Sequence, residues 1–299
     1  MTTIAFIGLG IMGAPMAGHL IDAGHDVVGY NRSRPAVDAL VERGGRAAGS
    51  VADAVRDAEV VVTMVPDSPD VEQVALGSGE PGGDGIYAAA KPGTLHVDCS
   101  TIRPDVARAI AAAGDERGVR VVDAPVSGGE AAAKEGTLSI MVGGAAEDVE
   151  AARPYLDVVG GTVVHVGPAG AGQTVKAANQ LIVAGNIELL AEALVFLEAH
   201  GVDTEAATQV LGGGLAGSTV LQRKAAGMRS REFAPGFRID LHHKDMGIFT
   251  AAAREAGVAI PLGAHVAQLV GALRAMGHGD LDRSALLLLV ERLSGRDAT

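Results

Sequence analysis

Cysteine and aromatic residues are scarce in this chain. Its 299 residues include no tryptophan, a single cysteine (Cys99) and only 3% aromatic side chains. A single cysteine excludes an intrachain disulfide and is typical of a protein from a reducing compartment. A strand pattern starts at residue 4 with no basic region before it. We therefore expect a cytoplasmic protein.

Positive charge and long apolar runs are also scarce. The chain has 24 lysines and arginines against 36 acidic residues, a net charge of −12, whereas a nucleic-acid-binding surface needs a basic field. No uninterrupted apolar stretch reaches the length of a bilayer span, so we expect no membrane association. The nine histidines show no paired ligand spacing such as HExxH, so we expect no metal. With 48% hydrophobic and 20% charged residues, the composition is that of a globular protein.

Three glycines follow the first apolar run. Residues 4–13 read IAFIGLGIMG, and a helical pattern follows directly. Glycines at this spacing permit a tight turn, the approach of a pyrophosphate to the backbone, and close packing of helix on strand. The helix N-terminus adds free N–H groups and a positive dipole end. The pattern predicts a dinucleotide-binding turn, and the alternative is a glycine-rich turn without a ligand. The candidate residues are Gly8, Leu9, Gly10, Ile11, Met12 and Gly13.

The first half of the chain alternates short apolar strands with helical stretches. Strands are predicted at 4–7, 26–30, 60–65, 94–98, 120–123, 138–142 and 163–166. Helices are predicted between several of them, at 35–43, 51–56, 68–75 and 103–117. This alternation indicates a mainly parallel sheet with right-handed crossovers, and the close spacing of the later strands indicates an antiparallel part.

After Gly167 the pattern becomes helical. A long helix is predicted over about 173–200 and is apolar on more than one face, which indicates burial on several sides in a homodimer or homotetramer. Further helices are predicted from Thr204 to about Gly212 and at 219–228, 242–256, 261–275 and 283–293. We therefore predict an α/β Rossmann-type N-terminal domain (residues 1–167) and an all-α C-terminal domain (168–299), joined by the long helix.

The residues after the strand at 26–30 select between nicotinamide cofactors. An acidic side chain there would bind the ribose hydroxyls of NAD, but the chain has Asn31, Arg32 and Ser33. A neutral amide removes repulsion against a 2′-phosphate, and a guanidinium can pair with it. We therefore predict NADP(H) as the preferred cofactor and NAD(H) as the alternative, unless Arg32 and Arg34 are ordinary solvated charges.

Two other strand ends are candidate cofactor contacts. Val65 and Pro66 end the apolar run that starts at residue 60, where the chain can pass over a bound cofactor. Thr101 follows the strand at 94–98, in a segment with hydroxyl groups. Ligands of parallel sheets bind at the carboxyl ends of the strands, which is why both positions are candidates.

Two segments carry candidate substrate-binding or catalytic groups. Ser127, Gly128 and Gly129 offer a hydroxyl and several backbone N–H groups to a carboxylate, and the alternative is a plain turn. Lys176 begins the apolar long helix, with Asn179 or Gln180 on the same helix face. It is either a lysine that reaches solvent or a proton donor to a developing alkoxide.

A third segment, residues 235–245, combines an aromatic side chain with basic and acidic ones. Phe237, Lys244 and Asp245 lie within this short window. The segment suits a binding site, and it equally suits the solvated start of a helix.

The chain resembles the β-hydroxyacid dehydrogenases, a family related to 3-hydroxyisobutyrate dehydrogenase, in five segments: FIGLGIMGAPMA, DAPVSGG, GTLSIMVGG, GQTVKAANQ and HHKD. These segments occur in the family's order and cover essentially the whole chain, and their joint occurrence is specific although each alone is weak. Two further segments, GGLAGSTVL and PGFRIDLHHKD, resemble most the members that reduce tartronate semialdehyde to D-glycerate.

The resemblance implies reversible hydride transfer between a nicotinamide cofactor and a small aldehyde-acid, with Lys176 as the catalytic proton donor. It implies substrate contacts for Ser127, Gly128, Gly129, Asn179, Phe237 and Asp245, and cofactor contacts for Thr101 and Lys244. Three alternatives remain: another substrate of the family, such as 3-hydroxyisobutyrate or succinic or glyoxylic semialdehyde; an imine reductase on the same scaffold; and a non-catalytic dinucleotide sensor.

Overall fold

Two units make up the structure, a computed structural model that describes residues 1–77 and 84–296. The first unit runs from Met1 to Lys176, and the second begins at Ala177. Each has its own apolar core. The boundary falls inside one continuous helix, Ala171–Ala199, whose first turns belong to the first unit.

The first unit is built on one sheet, with nine strands in the described part of the chain. They are β1 (Thr3–Ile7), β2 (Asp26–Tyr30), β3 (Arg46–Ala47), β4 (Val60–Thr63), β5 (Leu95–Asp98), β6 (Arg120–Asp123), β7 (Val126–Ser127), β8 (Leu138–Gly143) and β9 (Gly160–Gly167). Their order is β3-β2-β1-β4-β5-β6-β8-β7, with β9 beside β8. The pairs from β3 to β6 are parallel, whereas β8 is antiparallel to β6 and β7. This confirms a mainly parallel sheet with an antiparallel part.

Helices follow or separate these strands. They are α1 (Gly13–Asp22), α2 (Arg34–Glu42), α3 (Val51–Val55), α4 (Ser68–Leu76), α5 (Ile86–Ala89), α6 (Pro104–Asp115), α7 (Gly129–Glu135) and α8 (Ala146–Val159). Alternate residues of β1 enter two different cores, Ile4 and Phe6 in one, Ala5 and Ile7 in the other. The strand is buried on both faces because parallel crossovers place helices on both sides of the sheet.

The second unit is helical. After α9 (Ala171–Ala199) come α10 (Thr204–Gly213), α11 (Thr219–Ser230), α12 (Ile239–Glu255), α13 (Pro261–Leu273), a π-helical turn (Arg274–His278), a 3₁₀ turn (Arg283–Ala285) and α14 (Leu286–Leu293). Their shared core contains Ile187, Leu194, Ile239 and Leu286, all fully buried. The predicted Rossmann-type and all-α architecture is therefore confirmed, as is the long helix predicted at about 173–200.

Several predicted boundaries are wrong, and two of them have a clear physical cause. The strand predicted at 60–65 ends at Thr63, because Val65 leaves the ladder and donates its N–H to the Ser100 hydroxyl at 3.0 Å. The helix predicted at 242–256 begins at Ile239, whose buried side chain and N–H···O bond to Leu281 (2.9 Å) fix the earlier start.

One helix bears on the expectation of no membrane association, which stays a prediction. In α9 an 18-residue window has a mean hydropathy of 1.7, which is apolar enough to cross a membrane by length and composition. Within that window, 44% of the residues are buried in the protein, and a single such helix is weak support for a membrane span because core helices pass the same test.

Candidate functional site

The glycine-rich turn between β1 and α1 has the geometry that a dinucleotide needs. Gly8 has φ = +99°, and a Cβ there would lie 2.2 Å from the Met64 carbonyl oxygen. A Cβ on Gly13 would lie 1.9 Å from the Gly8 carbonyl oxygen, so helix and turn pack at glycine distance. A Cβ on Gly10 would meet no atom of the described protein within 4 Å, which leaves backbone open beside the start of α1. The turn fits a pyrophosphate at a helix N-terminus.

Asn31 braces this turn after β2. Its Oδ1 accepts the Leu9 N–H at 3.0 Å, and its Nδ2 donates to the Ser33 carbonyl at 3.2 Å. Arg32 beside it is 80% exposed, and its Nη1 lies 3.6 Å from the Asp70 carboxylate, too far for a hydrogen bond. Arg34 instead belongs to α2 and pairs with Asp38 at 2.8 Å. Of the two arginines, Arg32 is therefore the one whose guanidinium is not held by a close surface partner.

Buried hydrogen bonds join the carboxyl ends of β4 and β5. The Thr63 hydroxyl donates to Asp98 at 2.6 Å, and Asp98 also accepts the Ser100 N–H at 3.1 Å. The Ser100 hydroxyl in turn accepts the Val65 N–H. These bonds fix the two segments that contain the predicted cofactor contacts Val65, Pro66 and Thr101.

Burial shifts the protonation of the neighbouring groups. It lowers the pKa of His96, which lies within 3.0 Å of Thr63 and 2.9 Å of Tyr87, to about 4, so that the imidazole is neutral. Burial also raises the pKa of the Asp98 carboxyl and of the Cys99 thiol. A buried thiol with a raised pKa is unsuited to act as a nucleophile.

Ser127 and its two glycines form the end of β7 and the start of α7. Ser127 pairs with Ser139 of β8, and the chain then turns through Gly128 (φ = +136°) and Gly129 (φ = +71°). Both φ values are ones that L side chains rarely adopt. The segment therefore combines a half-buried serine with the N–H groups of a helix start, the groups on which the carboxylate-binding prediction depends.

The first turn of α9 is capped by Asp123 from the end of β6. Its carboxylate accepts the N–H groups of Gly170 at 2.7 Å and Gln173 at 2.9 Å. Lys176 lies at the next turn and is 6% exposed, which excludes a lysine that reaches bulk solvent. The interpretation of Lys176 as a lysine that reaches solvent is therefore wrong. Lys176 is a buried lysine on a rigidly held helix.

In the second unit, a chain of polar side chains connects α9 with α12. Asn179 donates through Nδ2 to Gln180 Oε1 at 2.8 Å, and Gln180 donates to Asp245 Oδ2. The other oxygen of Asp245 lies 3.1 Å from Lys244 Nζ. The predicted residues Asn179, Lys244 and Asp245 are therefore brought together, and Gln180 is the bridge between them.

Phe237 lies in a loop that Asp282 organises. Asp282 accepts the Phe237 N–H at 3.0 Å and pairs with Lys224 at 2.8 Å. Burial alone would raise the pKa of Asp282, but hydrogen bonds from Lys224 and Ser284 lower it to about 2. The Arg283 guanidinium packs over the Phe237 ring at 4.9 Å from its centroid.

Three residues with evident roles in these arrangements were not predicted from the sequence, and Gln180 was placed on the helix face of Lys176 without an assigned role. Gln173 lies three residues before Lys176, and an amide at helix spacing from a lysine in an apolar helix is the signal that identifies it. Asp123 and Asp282 act on segments distant along the chain, for which local sequence offers no signal. Within the described residues, no three potential metal ligands cluster, and the expectation of no metal stays a prediction.

The geometry of the first unit is that of a protein that binds a nicotinamide dinucleotide, and comparisons with known proteins agree. Residues 3–167 match the family described as the NAD binding domain of 6-phosphogluconate dehydrogenase. Residues 170–290 match the one described as NAD-binding of NADP-dependent 3-hydroxyisobutyrate dehydrogenase.

Relatives that match nearly the full length of the chain define its family more narrowly. The chain is 39% identical over 303 residues to NAD-dependent L-serine dehydrogenase of Pseudomonas aeruginosa (99% of this chain, 100% of the relative). It is 39% identical over 291 residues to 2-hydroxy-3-oxopropionate reductase of Escherichia coli (97% and 98%). The solved structure of 3-hydroxyisobutyrate dehydrogenase of Mycobacterium tuberculosis with L-serine has a TM-score of 0.87 and 36% identity (96% and 98%). The chain belongs to the β-hydroxyacid dehydrogenase family, whose members are NAD(P)-dependent oxidoreductases.

Proposed function

We propose that this protein reduces tartronate semialdehyde (2-hydroxy-3-oxopropionate) to D-glycerate, with NADPH as the preferred cofactor. The observation that carries the proposal is the first unit itself. It combines the open glycine turn at Gly10, the Ser127 loop and the buried Lys176 on a capped helix. Full-length similarity to an enzyme named for this substrate supports the choice within the family.

Lys176 and the Ser127 loop have different roles in the proposed reaction. A bound nicotinamide supplies the hydride for the aldehyde carbon. The Lys176 ammonium donates the proton that the resulting alkoxide needs, and positioned general acids contribute about 10²–10⁴-fold. Ser127 and the N–H groups after it hold the substrate carboxylate, which fixes the aldehyde for reaction. In the reverse direction, neutral Lys176 takes the hydroxyl proton.

Four further residues are assigned roles by the family resemblance. We assign Asn179, Phe237 and Asp245 to the substrate and Lys244 to the cofactor. The Asp245 carboxylate holds Lys244 at 3.1 Å, so the ammonium has a defined position. Arg32 is assigned to the 2′-phosphate of NADPH, because Asn31 is neutral and is used to brace the turn.

Oxidation of L-serine is the second candidate function, since the chain is equally similar to an enzyme named for it. Serine and glycerate share the carboxylate and the 3-hydroxyl and differ at C2, where an ammonium replaces a hydroxyl. A site built to bind one polar group rejects an analogue without it by about 10⁴–10⁵-fold, whereas one methylene is discriminated by only about 10–200-fold.

A substrate panel tests the proposal. We would measure kcat/KM for reduction of tartronate, methylmalonate and succinic semialdehydes with NADPH and with NADH, and for oxidation of D-glycerate, 3-hydroxyisobutyrate and L-serine. We expect the tartronate semialdehyde and D-glycerate pair to exceed every other pair by at least about tenfold. A higher value for L-serine would replace the proposal with the second candidate. Tight cofactor binding without turnover of any substrate would indicate a sensor.

A further inference from the structure

We infer that Gln173 is a positioning residue that holds the helix turn of Lys176 and the loop of Thr101 in one fixed register. The inference rests on the proposed function, because it concerns how the proton donor is placed for hydride transfer. Gln173 is completely buried in the first unit. It lies three residues before Lys176 on α9, which corresponds to a rise of about 4.5 Å along the helix.

The side-chain amide of Gln173 binds the backbone on both sides of Thr101. Its Oε1 accepts the Ile102 N–H at 3.1 Å, and its Nε2 donates to the Ser100 carbonyl at 2.8 Å. One planar amide therefore uses both its donor and its acceptor on the same loop. This fixes the distance and the orientation of the loop relative to the helix, and only an amide of this length supplies both groups.

The backbone of Gln173 is held as tightly as its side chain. The Asp123 carboxylate accepts its N–H at 2.9 Å and that of Gly170 at 2.7 Å. Close packing leaves no slack, because a Cβ on Gly172 would lie 2.4 Å from the Met141 carbonyl oxygen and 2.8 Å from Asp123 Oδ2. The first turn of α9 can therefore neither slide nor rotate without breaking buried hydrogen bonds.

The consequence concerns the reacting groups. The segment after β5 contributes Thr101 to the proposed cofactor site, and α9 contributes Lys176 as the proton donor. Gln173 joins these two segments directly by two hydrogen bonds within one rigid unit. Because a misplacement of about 1 Å can reduce a rate by about 10²-fold, loss of this junction should reduce catalysis more than it reduces cofactor affinity.

Two substitutions separate the roles of the amide. Gln173→Met keeps the side-chain length and removes both hydrogen bonds, whereas Gln173→Glu keeps an acceptor for the Ile102 N–H and loses the donor to Ser100. We expect kcat to fall by about 10–100-fold in the first and by less in the second, while the Kd for NADPH changes by less than about threefold. The primary deuterium isotope effect on kcat, measured with NADPH deuterated at the transferred position, should rise in the same order.

Two control variants distinguish positioning from a general loss of stability. Leu156→Ala opens a cavity in an apolar core of the first unit to which Gln173 does not belong, and should lower the melting temperature while kcat and the isotope effect stay at parent values. Gln268→Met makes the same chemical change at an exposed position of α13 and should change nothing. Should Gln173→Met fail to fold, Gln173→Glu carries the test alone.

The outcomes are separable from those of the proposed function. All rates are measured on whichever substrate the parent turns over best, with Lys176→Ala in parallel. If Lys176→Ala keeps the parental rate, the proposed mechanism is wrong. If Lys176→Ala loses activity but both Gln173 variants stay within twofold of the parent in kcat and isotope effect, the inference about Gln173 is overturned and the proposed function stands.

Discussion

Lys176 is a buried amine at the second turn of α9, a position that most lysines avoid. The proposed proton transfer gives this buried amine its function. We expect Lys176→Ala to lower kcat by about 10²–10⁴-fold, because a positioned general acid contributes that much. The Kd for NADPH, measured by quenching or enhancement of its fluorescence, should stay within about threefold. A variant with near-parental kcat would remove Lys176 from the mechanism.

In the proposed function, Arg32 is the residue that sets the preference for NADPH over NADH. Its guanidinium is exposed and lies 3.6 Å from the Asp70 carboxylate. Surface ion pairs of that kind contribute about 0–1 kcal/mol to stability. A charge-assisted bond to a 2′-phosphate contributes about 1.5–3 kcal/mol. We therefore expect Arg32→Ala to lower kcat/KM for NADPH by at least about tenfold and to leave the value for NADH unchanged. Arg34→Ala, which removes a neighbouring arginine paired with Asp38, is the matched control, and an equal effect there would contradict the assignment.

Glu188 is a buried carboxyl in α9 of the second unit. Burial and the nearby Glu192 raise its pKa to about 7, and its Oε2 has no hydrogen-bond partner within the described residues. The raised pKa favours the neutral carboxyl of Glu188 in the folded state. The free energy of unfolding therefore decreases as the pH rises from about 4.5 to 7, because the carboxyl ionises more readily in the unfolded chain. The linkage relation converts this shift into about 3 kcal/mol.

Glu188→Gln tests that linkage. The variant cannot ionise, so we expect its melting temperature to exceed the parent's at pH 8 and the difference to shrink or reverse at pH 5. Glu192→Gln, which removes the like charge but keeps the buried carboxyl, should shift the parent's profile without flattening it. Parallel stability curves for the parent and Glu188→Gln between pH 5 and 8 would show that Glu188 does not titrate in this range.

At the scale of elements, the loop before α12 depends on Asp282. This carboxylate binds Lys224, the Phe237 N–H and Ser284, and so fixes the aromatic residue assigned to the substrate. Its pKa of about 2 lies below the ordinary value, so its stabilising contribution is present above pH 4 and is lost as the pH falls towards 2. The carboxylate therefore keeps its charge throughout the pH range in which activity would be measured.

Removal of this carboxylate should affect the loop and Phe237 together. We expect Asp282→Ala to lower the free energy of unfolding by about 3 kcal/mol, because it leaves a half-buried lysine without its carboxylate and several N–H groups unsatisfied. The KM for the aldehyde should rise more than the KM for NADPH. A double-mutant cycle with Lys224→Met measures the pair itself, and a coupling energy near zero would show that the two charges do not support each other.

The elements that the sequence predicts well are those whose own residues determine them. Strands β1, β2, β4, β5 and β6 are buried apolar runs, and α9 is long and strongly apolar, so local pattern is sufficient. The two-residue strands β3 and β7 have too few residues for any period. Helix α8 has Pro154 in its interior, a residue that normally argues against a helix.

The candidate site also contains some features that local sequence determines and others that depend on tertiary packing. Gly8, Gly10 and Gly13 are identified by spacing, because backbone conformation at a turn is a local property. The bonds from Asp123 to Gln173 and from Gln180 to Asp245 join residues 50 and 65 positions apart. Such contacts depend on how strands and helices pack, and no local pattern encodes that packing.

At the scale of the whole molecule, the exposed apolar side chains are distributed unevenly between the two units. Of the fifteen large hydrophobic side chains exposed in the described chain, nine lie in the shorter second unit. Three of them, Ile182, Leu189 and Phe196, are spaced by seven residues on α9 and are 62%, 56% and 62% exposed. Seven-residue spacing places them along one face of the helix, and this face is the surface expected of a self-association site. We propose that it forms a homodimer or homotetramer contact.

Light scattering coupled to size exclusion measures this directly. The parent should elute as a species of about 60 kDa, twice 30.1 kDa, or as a larger multiple at micromolar concentration. Leu189→Glu places a charge in the middle of the face and should shift the equilibrium towards the monomer, because a charge buried in an apolar contact is strongly unfavourable. Val210→Glu makes a similar change at an exposed position of a different helix, α10, and should leave the mass unchanged. A monomeric parent would show that the apolar face of α9 serves another purpose, whereas an oligomer insensitive to Leu189→Glu would place the contact on a different surface of the protein.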